Sequence, residues 1–225
     1  MAFLKQTGWL LWKDLVLELR RRESLLAMFF FGTLLLFIFN FALDLEAEKA
    51  AVMAPGLLWL AVVFCGTLGL MQLFQPEREN RCLEALLLAP VDRAAIFLSK
   101  VFFNLVLMVL LEAVVFPLFW LLFNVAAWDR LPLMFLHALL GTVGFCVVGT
   151  LFSALTLGAR GREILLPLLL LPLLVPVVLA TIRGMEIILR AGDFSESLPW
   201  LHLLIGFDVI FSTAGILVFE WVIES

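Results

Sequence analysis

The sequence predicts an all-α, polytopic membrane protein. Of its 225 residues, 64% are hydrophobic and 15% charged, against about 45–50% and about 25% in an ordinary soluble domain. The apolar residues gather into six runs of about 20 residues, the length a helix needs to cross the hydrocarbon core. The basic residues collect between alternate runs. A water-soluble globule is excluded. Six crossings use roughly 120 residues, so the chain reads as one integral membrane unit over residues 1–225, with no second globular domain. Backbone groups at that depth must satisfy one another, and the run lengths suit helices rather than the short alternating strands of a barrel.

The first element, residues 2–22, alternates apolar and charged positions at helical spacing. Phe3, Trp9, Trp12, Val16 and Leu19 are among the apolar positions, and Lys5, Lys13 and Arg20 among the basic ones. That pattern predicts a helix lying in the membrane interface. It reads either as an elbow bracing the first span or as a basic segment that sets topology. The first long apolar run starts only after Arg20-Arg21-Arg22, which is not the order of a cleavable signal peptide. This segment is therefore expected to persist.

The predicted spans are Ser24 to Leu43, Val52 to Phe74, Val101 to Phe123, Leu131 to Leu155, Ile164 to Ile182 and Leu201 to Ile223. The N-terminal segment and the second and fourth loops hold eleven of the fifteen Lys and Arg residues, whereas Lys49, Arg130, Arg183 and Arg190 are the only four in the odd loops. The positive-inside rule then places both termini in the cytoplasm. Trp59, Trp120, Trp128 and Trp200 fall near the outer ends of spans and Trp9, Trp12 and Trp221 near the inner face, as interfacial belts.

Between the second and third spans, residues 76–90 predict a short amphipathic helix on the cytoplasmic side. Pro76 suits its first turn, Glu77 and Glu79 sit where the helix dipole favours negative charge, and Pro90 ends it. Leu83, Leu86 and Leu87 form one face, with Glu77, Arg81 and Glu84 on another. It reads as a knob for a soluble partner or as a solvated helix with i,i+4 pairing of Glu77 and Arg81.

The fourth span carries Gly141, Thr142, Gly144, Cys146, Gly149, Thr150, Ser153 and Ala154, a face on which helix backbones approach closely in lipid. The fifth holds Pro167, Pro172 and Pro176. Each removes a backbone donor, so a kink or local unwinding is expected, and these prolines are hinge candidates. Residues 183–199 read as the longest outer segment, with a short surface helix on it.

Intramembrane ionisable groups are costly and point to function or to polar packing. Glu112 lies mid-span, and His137 and Asp208 lie in the outer parts of theirs. They are read as functional groups, as solvated outer residues, or as packing partners of one another and of Asn104 and Thr142. Cys65, Cys82 and Cys146 lack CxxC spacing and suggest neither a disulfide framework nor a zinc site. No GxxxxGK[ST], HExxH, nucleophile elbow or CxxCH occurs. The chain therefore reads as non-enzymatic, with no cofactor of its own and no nucleic-acid partner. Any ATP is expected to act in another subunit.

The interfacial helix, six spans, charged first cytoplasmic loop and small-residue fourth span resemble the permease half of an ABC-2 type exporter. Four stretches resemble more closely the cytochrome c maturation permeases, the haem exporter protein B (CcmB) family. They are Ala54-Pro55-Gly56-Leu57-Leu58-Trp59; Leu83-Glu84-Ala85-Leu86-Leu87-Leu88-Ala89-Pro90 leading to Lys100; Gly141-Thr142-Val143-Gly144-Phe145 followed by Gly149-Thr150-Leu151; and Arg162-Glu163-Ile164-Leu165-Leu166-Pro167 running through Pro172 and Pro176. The resemblance implies a subunit of a cytochrome c biogenesis complex in the bacterial inner membrane, paired with a separate ATP-binding subunit, in two copies of each. It implies work beside a haem-handling membrane subunit that loads a periplasmic haem chaperone. Glu77 to Leu88 becomes the helix receiving the ATPase stroke, so Glu77, Glu79, Arg81 and Glu84 are coupling candidates. Arg81-Cys82 departs from the Gly and small hydroxyl residue frequent there in such permeases. The competing expectations are an ABC-2 permease for a lipid-like or drug-like substrate and a proton-coupled carrier using Glu112.

Overall fold

The structure, a computed structural model, describes residues 2–43, 47–79, 89–123, 128–190 and 193–224. Among these residues there is no strand. The order is α1 (Ala2–Arg21), α2 (Glu23–Leu43), α3 (Ala47–Gln72), α4 (Gln75–Glu79), α5 (Arg93–Leu122), a 3₁₀ turn (Trp128–Arg130), α6 (Leu131–Leu155), α7 (Arg162–Leu189) and α8 (Phe194–Glu224). Six of these, α2, α3, α5, α6, α7 and α8, are long and apolar enough to cross a membrane.

Helix α6 is the hub, packing on α3, α5, α7 and α8. Its small residues are the reason: Gly141, Thr142, Gly144, Cys146, Gly149, Thr150, Ser153 and Ala154 are all buried. Leu70 of α3 fills the space beside Gly149, so closely that a Cβ there would fall on it. Helix α2 is the most peripheral of the six. It is tied to the far end of α5 by Asn40 Nδ2, which donates to the Leu122 carbonyl at 2.9 Å.

The N-terminal segment is helical, and it packs mainly on the third spanning helix rather than on the first. Helix α1 runs over Ala2–Arg21 and packs along α5. Trp9 and Trp12 are exposed, as an interfacial helix requires. Arg22 turns the chain into α2 with φ 57°, the left-handed region that a non-glycine residue occupies at a cost of about 1–2 kcal/mol. Its N–H closes α1 on the Glu18 carbonyl at 2.6 Å. The Glu18 carboxylate then accepts from the Leu25 N–H and the Ser24 hydroxyl, both at 2.9 Å, and so caps α2. Glu18→Ala is expected to destabilise the elbow by about 1 kcal/mol, the usual worth of an N-terminal cap. Limited trypsinolysis at Arg20 to Arg22 reads that loss as faster cleavage, and an unchanged rate would show that the cap does not hold the bend.

Several expectations are corrected. The third spanning helix starts at Arg93, eight residues before the apolar run. Asp92 caps it through Ala94 N–H at 2.9 Å, and Gln6 of α1 braces the entry by donating to the Pro90 carbonyl and accepting from Asp92 N–H. At 1.5 Å per residue its 30 residues span about 45 Å, more than the hydrocarbon core, so its first turns project beyond it. The outer segment expected at residues 183–199 is not a loop with a surface helix. Helix α7 continues to Leu189 and α8 begins at Phe194. The charges there sustain the helix, since Glu186 pairs with Arg183 at 2.9 Å and with Arg190 at 2.7 Å. Gly184, Met185, Ile188 and Leu189 extend the buried stripe of α7. Arg130 caps its end, donating to the Leu189 carbonyl at 2.7 Å.

Helix α7 is also helical through all three prolines, so no local unwinding occurs at Pro167, Pro172 or Pro176. Pro172 and Pro176 lie on its exposed side, away from the stripe Leu166, Leu170, Leu174 and Val177. Trp59 and Trp120 do not belong to an interfacial belt, because each is only 1% exposed within the helix core.

Candidate functional site

At the elbow end, three elements meet in one ionic clasp. Lys100 Nζ, on the first turns of α5, lies 3.0 Å from Asp14 Oδ2 of α1 and 2.8 Å from Glu77 Oε1 of α4. It also donates to the Leu73 carbonyl at 3.2 Å and stands over the Phe74 ring at 5.2 Å. Lys13 Nζ completes the ring, 3.0 Å from Asp14 Oδ1 and 2.7 Å from Glu77 Oε1. Two cations and two anions alternate, so the cluster is neutral. Lys100 is 2% exposed and Glu77 3%. Burial alone would lower the Lys13 pKa, and the Asp14 and Glu77 carboxylates outweigh it, holding the ammonium above its ordinary value.

The clasp makes α4 mechanically continuous with α1 and α5. Buried charges of this kind add little net stability over apolar packing, but removing one partner strands the rest at a cost of about 3–5 kcal/mol. Any displacement of α4 therefore has to move the elbow and the third spanning helix, or break the ring.

Deeper in the bundle, Glu112 of α5 is fully buried and its Oε1 accepts from the Thr142 hydroxyl of α6. Asp208 of α8 packs against Gly144, where a Cβ would fall on its carboxylate. Cys146, one turn along α6 from Thr142, lies within electrostatic reach of both acids. His137 is fully buried against Gly184 of α7, with Nδ1 3.1 Å from the Leu133 carbonyl of its own helix. Solvation of His137 and Asp208 is thus not what the structure shows: glycines on facing helices make room for both inside the packing. Of the partners expected for these groups, Thr142 takes Glu112, and among the described residues no hydrogen bond or ion pair joins any two of Glu112, His137 and Asp208. Asn104 is buried with neither side-chain polar atom bonded. No group of three His, Cys, Asp or Glu residues able to hold a metal occurs among the described residues.

A family profile described as CcmB protein matches residues 5–221. The chain belongs to the CcmB family. It is 30% identical over 195 residues to heme exporter protein B of Pseudomonas aeruginosa, covering 87% of each chain. It is 32% identical over 184 residues to heme exporter protein B of Rhodobacter capsulatus, covering 82% of this chain and 83% of that one. With heme exporter protein B of Escherichia coli K12 it shares 30% identity over 201 residues, covering 78% and 81%.

Of the coupling candidates in this CcmB chain, Glu77 sits in the clasp, and Glu79 ends α4. Arg81 and Glu84, with Cys82 and the expected Glu77–Arg81 pair, lie outside the described residues, as does the greater part of the 76–90 helix. Sequence reasoning missed the clasp partners Asp14 and Lys100. The signal that could have found Lys100 is a lysine directly preceding a long apolar run on a helix already started at Arg93, since a charge at that depth needs a partner.

Proposed function

We propose that this chain is the non-catalytic transmembrane subunit of an ATP-driven complex for cytochrome c biogenesis, with haem as the cargo the complex handles. Its CcmB membership, its helices of membrane-spanning length and the name shared by its relatives support that reading. The chain takes its energy from a separate ATP-binding subunit and holds no cofactor. It works beside a haem-handling membrane subunit, as two permease copies per complex, and promotes haem delivery or release of a haem-loaded periplasmic chaperone. It resides in the bacterial inner membrane with the elbow end and both termini cytoplasmic, in keeping with the eleven basic residues on that side.

The observation that carries the coupling role is the clasp. A partner that engages α4 and the residues after it grips a segment whose Glu77 is bonded to α1 and α5. Nucleotide-dependent movement of the partner then biases the position of the elbow and of the spans packed on it, as coupling between two sites requires. Glu77 acts by positioning, because it is buried and its Oε1 accepts from two lysines. Contact with the partner falls to Glu79, Arg81 and Glu84.

Reversing charge with Glu79→Lys and Glu84→Lys is expected to reduce co-purification of the ATP-binding subunit by about tenfold, the scale of losing two charged contacts. Equal recovery of the partner with wild type and variant would overturn the docking assignment.

A further inference from the structure

Beside the clasp, the end of α3, the adjoining α4, the turn at residues 158–161 and the first turn of α7 line an open basin of about 980 Å³. Its walls carry Arg78, Arg160 and Arg162, with Gly158 and Gly161 leaving backbone close to the space. Arg78 and Arg160 are exposed, and among the described residues neither forms an ion pair. Arg162 is 8% exposed, and its Nη2 donates to two neutral acceptors, Ser153 Oγ at 2.8 Å and the Leu70 carbonyl at 3.3 Å. Its Nε is buried without a partner, and the nearby charge of Arg78 repels it. The carboxylate lining this space is that of Glu163, which is exposed. A buried guanidinium with a like charge beside it and, among the described residues, no ion-pair partner calls for an anion.

A second cavity lies next to the first. A groove of about 360 Å³ runs between α2, α3 and α7, lined by Phe31, Phe64, Leu68, Met71, Pro167 and Leu171 among others, almost wholly by apolar atoms. Met71 lines both spaces. On α3 the lining passes from Leu60 to Met71, with Arg78 following on α4, and on α7 it passes from Leu171 through Pro167 to Arg162. From Leu60 to Met71 a helix rises about 16 Å. The seam is therefore apolar at membrane depth and cationic where the spanning helices end, at the level of headgroups.

We propose that this seam is a binding site for an anionic phospholipid, with its phosphate and headgroup in the arginine basin and one acyl chain in the α2–α3–α7 groove. Charge complementarity selects the headgroup, since basic residues at the membrane surface attract anionic lipid. The apolar groove beside the basin, with Met71 lining both, selects a lipid over a free anion. The bound lipid would bridge α3 to the first turn of α7, where α6 is also tied through Ser153 and the Leu70 carbonyl.

The test uses the full chain in nanodiscs made of equal parts phosphatidylglycerol and phosphatidylcholine, each in turn carrying a photoreactive acyl chain, with labelled peptides identified by mass spectrometry. Phosphatidylglycerol is expected to label the stretches around Leu68 to Met71 and Pro167 to Leu171 in preference to phosphatidylcholine. The Arg78→Gln, Arg160→Gln double variant alters exposed side chains and so keeps its fold, which size-exclusion elution and thermal melting verify. It should lose that labelling by about tenfold or more. Leu171→Trp, which fills the groove, should lose it with all arginines intact. Equal labelling by the two lipids, or labelling unaffected by the double variant, would overturn the proposal. Displacement of the labelled lipid by millimolar inorganic phosphate alone would also overturn it, making the basin a free-anion site. So would crosslinking of position 160 to an acidic partner subunit in the assembled complex, which would make it a protein interface.

Discussion

Lys100→Met is expected to destabilise the protein by about 3–5 kcal/mol, the cost of leaving buried charges without their partner. The methionine keeps most of the volume and removes the one ammonium that touches Asp14, Glu77 and the Leu73 carbonyl together. Asp14 and Glu77 then share only Lys13, and their mutual repulsion pushes α1 away from α4. Thermal unfolding in detergent measures the loss, and the fluorescence of Trp9 and Trp12, both on α1, reports whether the elbow is what detaches. Combining Lys100→Met with Asp14→Asn restores neutrality around the remaining Lys13–Glu77 pair and is expected to recover most of the loss. A single-variant effect below about 1 kcal/mol, the range of a surface ion pair, would show that the clasp does not bear on the fold.

Gly141→Val is the second large expected effect. A Cβ at this position would fall on the Thr181 hydroxyl and the Trp59 indole. Both neighbours are buried, Trp59 at 1% and Thr181 at 0% exposed, so neither has free space to move into. Overpacking of this kind costs about 1–3 kcal/mol, and the branched side chain puts the effect at or above the upper end. Because α6 packs on α3 and α7 through this point, the variant is expected to separate α6 from both and to lower the melting temperature. Gly206→Ala is the control. No atom lies within 4 Å of a Cβ there, and alanine favours a helix interior over glycine by about 1 kcal/mol, so that variant is expected to melt at or slightly above the wild-type temperature. Equal melting of Gly141→Val and Gly206→Ala would contradict the packing of α6 as the hub.

The residues explain which parts of this architecture can be read before folding. Apolar run length sets a span, so Leu131 to Leu155 has the same bounds in sequence and structure. Small residues on α6 announce a central helix, since close approach is the one use lipid-facing surface has no need of. Span ends are harder to read where charge pairs extend a helix. Arg183, Glu186 and Arg190 look like loop residues singly and act as helix support together. The tryptophans mislead for a related reason: Trp59 and Trp120 sit at interfacial sequence depth, yet facing helices enclose them. The clasp was hidden most deeply. Glu77 lies 64 residues from Lys13 and 23 from Lys100, and no local pattern marks side chains that meet only after α1 folds back over α5. The same holds for Asp208 and His137, whose places depend on Gly144 and Gly184 of neighbouring helices.

The proposed coupling of nucleotide turnover in a partner to haem handling runs through α4 and the clasp. Its most direct test is to isolate the chain from native membranes with its co-purifying subunits, load haem, and follow haem-chaperone release with and without ATP. Coupling through the clasp gives release that requires hydrolysable ATP and that falls sharply in Lys100→Met complexes still containing the ATP-binding subunit. ATP-independent release, or ATP-dependent release unchanged by Lys100→Met, would contradict it.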